Sequence, residues 1–125
     1  MTTVLIIEDD VATNNFYATA LSQAGFLVVQ ATSCRQAIAC LKRLIPTVIL
    51  LDMWLSDGSG AAILRYLRAN DCLQNIKVAI VSGSARYYWD AKQADVAQYL
   101  YKPVLGDTLC ACIQQLVEAS HQRVG

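Results

Sequence analysis

Apolar residues recur along this chain in short runs separated by longer stretches of helix-like spacing. Val4 to Ile7, Phe26 to Val29, Val48 to Leu51, Val78 to Val81 and Tyr99 to Tyr101 read as five strands. The unbroken first run suits a strand buried on both faces. The first helical segment is predicted to begin near Ala12 or Thr13, to bury Phe16, Ala20 and Leu21, and to stop at Gly25. Ser33 or Thr32 is placed to cap a second helix carrying Ala37, Ile38, Leu41 and Leu44, closed by Pro46. A third follows Gly60 with Ile63, Leu64 and Leu67, and the last follows Asp107 with Leu109, Ile113, Leu116 and Val117 on one face. The stretch "SARYYWDAKQADVAQ" is the weakest segment, a short and aromatic place for a fourth helix.

Strands alternating with helices predict an α/β fold: parallel strands, right-handed crossovers and helices on both faces of one sheet. A length of 125 residues fits one compact unit over residues 1–125. In such sheets functional groups gather at the carboxyl ends of the strands.

Composition narrows the choices. Apolar residues make up 55% of the chain and charged residues 16%, which argues against disorder, and no apolar run is long enough to span a bilayer. The N-terminus lacks the pattern of a secretory signal, so a cytoplasmic protein with no membrane partner is expected. Lys plus Arg equals Asp plus Glu at 10 each, leaving no basic excess, so no direct nucleic-acid contact is expected. The five cysteines show neither Cys-x-x-Cys spacing nor paired histidines, and read as small core-filling thiols. His121, near the terminus, is given no role.

The chemistry sits where the strands end. "VLIIEDD" sets three carboxylates directly behind four aliphatic residues. Two unit charges about 4 Å apart repel by about 4 kcal/mol at an effective dielectric near 20, so a cation is expected to offset Glu8, Asp9 and Asp10. Strand three delivers Asp52, strand four Ser82 and strand five Lys102. Carboxylates with room for water suit Mg²⁺. A carboxylate held beside Mg²⁺ and a lysine is a competent nucleophile toward a phosphoryl group, which assigns that role to Asp52. Lys102 can offset charge on the phosphoryl oxygens, and Ser82 can donate to the attached group. Asp10 reads as a helix cap, and Asp57 with Gly58 as turn chemistry.

The ordered set of acidic pair, "LLDMWLSDGSG", "VSGSA" and "YLYKP" resembles the receiver domain of two-component response regulators over nearly the whole chain. The resemblance implies a (βα)5 doubly wound, flavodoxin-like (CheY-like) sheet of strand order 2-1-3-4-5. It implies that Glu8 and Asp9 bind Mg²⁺ together with Asp52 and the Trp54 backbone carbonyl. Asp52 would accept phosphate from a histidine kinase or a histidine phosphotransfer protein. Ser82 would be the switch hydroxyl, Tyr99 the switch aromatic and Lys102 the phosphate-pairing cation, in a Lys102–Pro103 bond commonly cis in this family. Output would pass to a downstream protein target or a phosphate relay, with a homodimer through the fourth helix, fifth strand and last helix possible. The sequence departs from the family in Ser56, where the loop often has proline, and in the bulky Trp54, placed to shield an acyl phosphate. The span from Ser82 to Tyr99 is short, and its Tyr87, Tyr88 and Trp89 are expected to be partly exposed.

Two other functions compete. An aspartyl-phosphate phosphatase or phosphotransferase of the haloacid dehalogenase type needs a second carboxylate two residues past the nucleophile, where this chain has Trp54. A degenerate receiver that binds partners without phosphate would not require the acidic pair, acceptor, hydroxyl and lysine together. A conventional turnover enzyme is therefore not expected.

Overall fold

The computed structural model describes residues 2–83 and 97–122, with side chains described up to residue 119. Five parallel strands form one sheet: β1 (Thr3–Ile7), β2 (Leu27–Ala31), β3 (Val48–Asp52), β6 (Lys77–Ser82) and β7 (Gln98–Tyr101), in the order β2-β1-β3-β6-β7. The intervening β4 (Trp54–Leu55) and β5 (Gly58–Ser59) are a two-residue antiparallel ribbon that the hydrophobic pattern had not suggested. Four α-helices occur among the described residues: α1 (Val11–Gln23), α2 (Cys34–Leu41), α3 (Gly60–Arg68) and α4 (Gly106–Gln122). The expected fourth of five helices, with Tyr87, Tyr88 and Trp89, lies outside the described residues.

Side-chain alternation along each strand splits the core into two layers. Leu5 and Ile7, Ile49 and Leu51, and Val78 and Ile80 pack with α2 and α3. Val4 and Ile6, Val48 and Leu50, and Ala79 and Val81 pack with α1 and α4. The unbroken "VLII" is thus a strand covered on both faces, each such side chain contributing about 1.5–3 kcal/mol of burial.

The helix ends follow local rules. Asp10 caps α1, accepting from the Thr13 N–H at 2.9 Å, and Gly25 follows its end at φ +99°, a conformation glycine adopts without a Cβ penalty. Ser33 caps α2 through the Gln36 N–H at 3.1 Å. Two expectations are corrected. In α1 the buried face is Asn14, Tyr17 and Leu21, while Phe16 is 50% exposed. The helix α2 ends at Leu41, before Leu44. Of the free cysteines, Cys34 and Cys112 are buried as expected, Cys40 and Cys110 are half-buried, and Cys72 is exposed. No helix of the described residues is long and apolar enough to cross a membrane.

Candidate functional site at the strand ends

The alternation that sorts the core also aims the site. Asp52 continues the series Val48, Leu50 and Glu8 the series Val4, Ile6, so both carry the parity of the α1 and α4 layer. The pairing of β6 with β7 is extended one step by a 2.9 Å bond from the Lys102 N–H to the Ser82 carbonyl, which carries Lys102 to the same rim. The Lys102–Pro103 bond is cis. Lys102 Nζ lies 2.6 Å from Glu8 Oε1 and 3.4 Å from Asp52 Oδ2. Glu8 is 1% exposed and Asp52 6%. Asp9 is half-buried, and oxygens of Glu8, Asp9 and Asp52 lie within 4.8 Å of one another.

Two backbone amides steady these carboxylates. The Trp54 N–H donates to Asp52 Oδ1 at 3.0 Å, and the Asp10 N–H donates to Glu8 Oε2 at 3.2 Å. The indole of Trp54 is half exposed at the rim. Ser82 is fully buried at the end of β6, next to the β3 terminus, where Val81 pairs with Asp52. Tyr99 is half-buried on the opposite parity to Lys102, packs against the α2 and α3 layer, and sets its ring 5.0 Å from that of Tyr101. The structure therefore gathers Glu8, Asp9, Asp52 and Lys102 tightly, with Ser82 at the end of β6 beside β3 and Tyr99 on β7, the strand that leads into Lys102.

The electrostatics follow from burial and crowding. Burial raises the Glu8 carboxyl above its ordinary value, the Asp52 carboxylate raises it further, and the bond from Lys102 works against both. Burial and then Glu8 raise Asp9. Burial alone would lower the Lys102 ammonium, but its bond to Glu8 and the charges of Asp52 and Glu8 outweigh that and raise it. With all four ionised, three carboxylates face one ammonium and leave two negative charges. An all-oxygen donor set with that surplus fits a hard divalent cation such as Mg²⁺.

Three residues outside the expected set shape the site. Asn14, fully buried, donates from Nδ2 to the carbonyls of Glu8 and Ala31, each at 3.0 Å, and accepts from Gln30 Nε2 at 2.9 Å, tying the end of β1 to the end of β2. Its signal was a polar residue in register with Tyr17 and Leu21. Gly60 lets α3 start against the acceptor loop. A Cβ there would stand 2.6 Å from Met53 Sδ and 2.9 Å from the Asp52 carbonyl oxygen. Asp57 lies in the turn, as read, and in addition accepts from the Cys34 N–H at 2.8 Å and the Arg35 N–H at 3.1 Å.

Beside the site, a cavity of about 600 Å³ is lined by Ala12, Thr13, Phe16, Tyr17, Lys102, Pro103 and Val104. It places apolar surface of α1 next to Lys102 and Pro103.

Known proteins agree with this architecture. The profile of the response regulator receiver domain matches residues 4–114, and the chain belongs to that family, the receiver domains of two-component signalling. The transcriptional regulatory protein CitT of Bacillus subtilis is 27% identical over 117 residues, covering 92% of this chain and 52% of CitT. The KDP operon transcriptional regulatory protein KdpE of Escherichia coli is 35% identical over 107 residues, covering 82% of this chain and 45% of KdpE. The chain thus spans about half the length of these two relatives. In fold it is similar to the CheY-like receiver domain protein from Methanospirillum hungatei JF-1, with TM-score 0.90, 22% identity and 98% coverage of both chains. It is also similar to the signal receiver domain of a putative Luxo repressor protein from Vibrio parahaemolyticus, with TM-score 0.90, 24% identity, and coverage of 98% of this chain and 94% of that one.

Proposed function

We propose that this chain is a phosphoacceptor switch, phosphorylated on Asp52 by a histidine kinase or a histidine phosphotransfer protein in the presence of Mg²⁺. The observation that carries the reading is the joint approach of Glu8, Asp52 and Lys102, at 2.6 and 3.4 Å, at the carboxyl edge of a receiver-type sheet. Glu8, Asp9 and Asp52, with the Trp54 carbonyl, would hold the cation, which when bound offsets charge on the phosphoryl oxygens. The Trp54 N–H holds one Asp52 oxygen, Oδ1, while Oδ2, which accepts from Lys102 Nζ at 3.4 Å, keeps a further lone pair for attack. A bond forms between an Asp52 oxygen and phosphorus as the bond from phosphorus to the donor imidazole nitrogen breaks. That nitrogen keeps the electron pair and takes up a proton from solvent. Lys102 then pairs with a phosphoryl oxygen and Ser82 donates its hydroxyl hydrogen to another.

The ammonium has to leave Glu8 to do so, which is the switch. Lys102 follows directly on β7, so a shift there reaches Tyr99 and Tyr101 on the strand's outer part. The readout would be docking to a downstream protein, relay of the phosphate, or pairing of two copies through the face of β7 and the last helix. The exposed Phe16, beside the cavity that Lys102 lines, supplies apolar surface on which a phosphodonor can rest.

Intact mass after incubation with a small acyl phosphate tests the reading. One added phosphoryl group that needs Mg²⁺ and disappears in Asp52→Asn supports it; label retained in Asp52→Asn contradicts it.

A further inference from the structure

We propose that Asp57 is a positioning residue that latches the acceptor loop to α2 and thereby holds the Trp54 peptide over Asp52; this rests on the phosphoacceptor reading. The first turn of a helix leaves N–H groups without helical partners. In α2 those groups are divided between two sources. Ser33 takes the Gln36 N–H at 3.1 Å, whereas Asp57, 23 positions after Cys34, takes the Cys34 and Arg35 N–H groups, one on each carboxylate oxygen. Both bonds lower the Asp57 carboxyl, so it binds as an anion at the positive end of the helix.

The loop is fastened at more than this point. Cys34 Sγ donates to the Ser59 carbonyl at 3.6 Å, and a Cβ at Gly58 would come within 3.2 Å of the same sulfur. At the other end the Gly60 N–H donates to the Met53 carbonyl at 3.0 Å. Between them, Trp54 and Leu55 pair with Ser59 and Gly58 in the short ribbon, with Asp57 in its turn. The loop's tip is therefore held by α2 and its base by α3, and between them hangs Trp54, whose N–H bonds Asp52 and whose own carbonyl, in the next peptide, is the proposed cation ligand. Release of the tip would let Trp54 tilt without touching any reacting atom.

A helix cap and a positioning latch make different predictions, because Ser33 caps the same helix without reaching the loop. Mg²⁺ binding is measured by calorimetry on the folded protein, together with the saturating rate constant for labelling by a small acyl phosphate and the donor concentration that gives half that rate. Asp57→Ala is expected to weaken Mg²⁺ about tenfold and to lower the saturating rate constant, as loss of groups that orient ligands does elsewhere. Asp57→Asn keeps an oxygen for one of the two N–H groups and should fall between; it carries the test if the alanine variant does not fold. Ser33→Ala should lower the melting temperature while holding Mg²⁺ like the wild type. Wild-type Mg²⁺ affinity in both Asp57 variants, or an equal loss in Ser33→Ala, would overturn the latch alone. A wild-type protein that neither binds Mg²⁺ nor takes label would overturn the phosphoacceptor reading, and the latch with it.

Discussion

Lys102 and Glu8, 94 positions apart, form a 2.6 Å ion pair in which the carboxylate is almost wholly buried and the lysine side chain is 30% exposed. The pair holds the site's ammonium on a carboxylate that is not the proposed acceptor. Removing the ammonium in Lys102→Ala leaves Glu8 and Asp52 facing each other. Partial exposure puts the stability loss between about 1 kcal/mol for an exposed pair and about 3 kcal/mol for a buried one. Labelling should fall about 100-fold or more, since Lys102 is a main donor to the phosphoryl oxygens. Urea unfolding and initial rates of labelling check the two effects; an unchanged rate would remove Lys102 from the mechanism.

Asn14 carries a purely structural prediction. Its carboxamide serves the Glu8 and Ala31 carbonyls and Gln30 in a fully buried position. Asn14→Ala strands those groups and should cost about 2 kcal/mol or more in urea unfolding. A cost within experimental error of zero would show that the bridge contributes nothing.

Gly60 marks where α3 touches the acceptor strand. In Gly60→Ala the new methyl would meet backbone atoms of Asp52 and Met53, which yield less readily than a side-chain tip. The expected loss is about 1–3 kcal/mol of stability together with slower labelling, because the shift falls on the acceptor itself. Normal stability with normal labelling would contradict the close fit.

How much of this was legible in the sequence depended on whether a position answers to local pattern or to a distant partner. Period-two alternation and the sudden appearance of charge at strand ends were enough to locate Glu8, Asp52 and Lys102, because strand parity aims such residues at one rim, and Asp9 followed only as the next charge past the end of β1. In α1 the pattern misled. Leu21 is buried as its spacing suggests, yet the groups waiting beneath the helix are two carbonyls at the ends of β1 and β2, so Asn14 and Tyr17 turn inward and Phe16 does not. The role of Asp57 was equally hidden, since its partners lie on a helix more than twenty residues earlier and no local period encodes that meeting.

Protons and Mg²⁺ should compete. Glu8 and Asp9 have folded values raised above their ordinary 4.5 and 3.8. An acid raised in the fold keeps its proton longer there than in the unfolded chain, so its contribution to stability falls as pH climbs from the ordinary value to the raised one. A cation that requires the ionised forms reverses that loss. The rise in melting temperature caused by Mg²⁺ should therefore be small near pH 4.5 and grow as pH increases through the raised values of both groups. A Mg²⁺ effect that is constant with pH would place the ion elsewhere.

The most direct measurement is to map the phosphoryl group itself. Borohydride reduction of an acyl phosphate turns the aspartate that carried it into homoserine, which peptide mass spectrometry can locate. The account predicts that conversion at Asp52, and only in samples labelled with Mg²⁺ present. Conversion at Asp9 instead, or a label that survives on a residue remote from the strand ends, would contradict it.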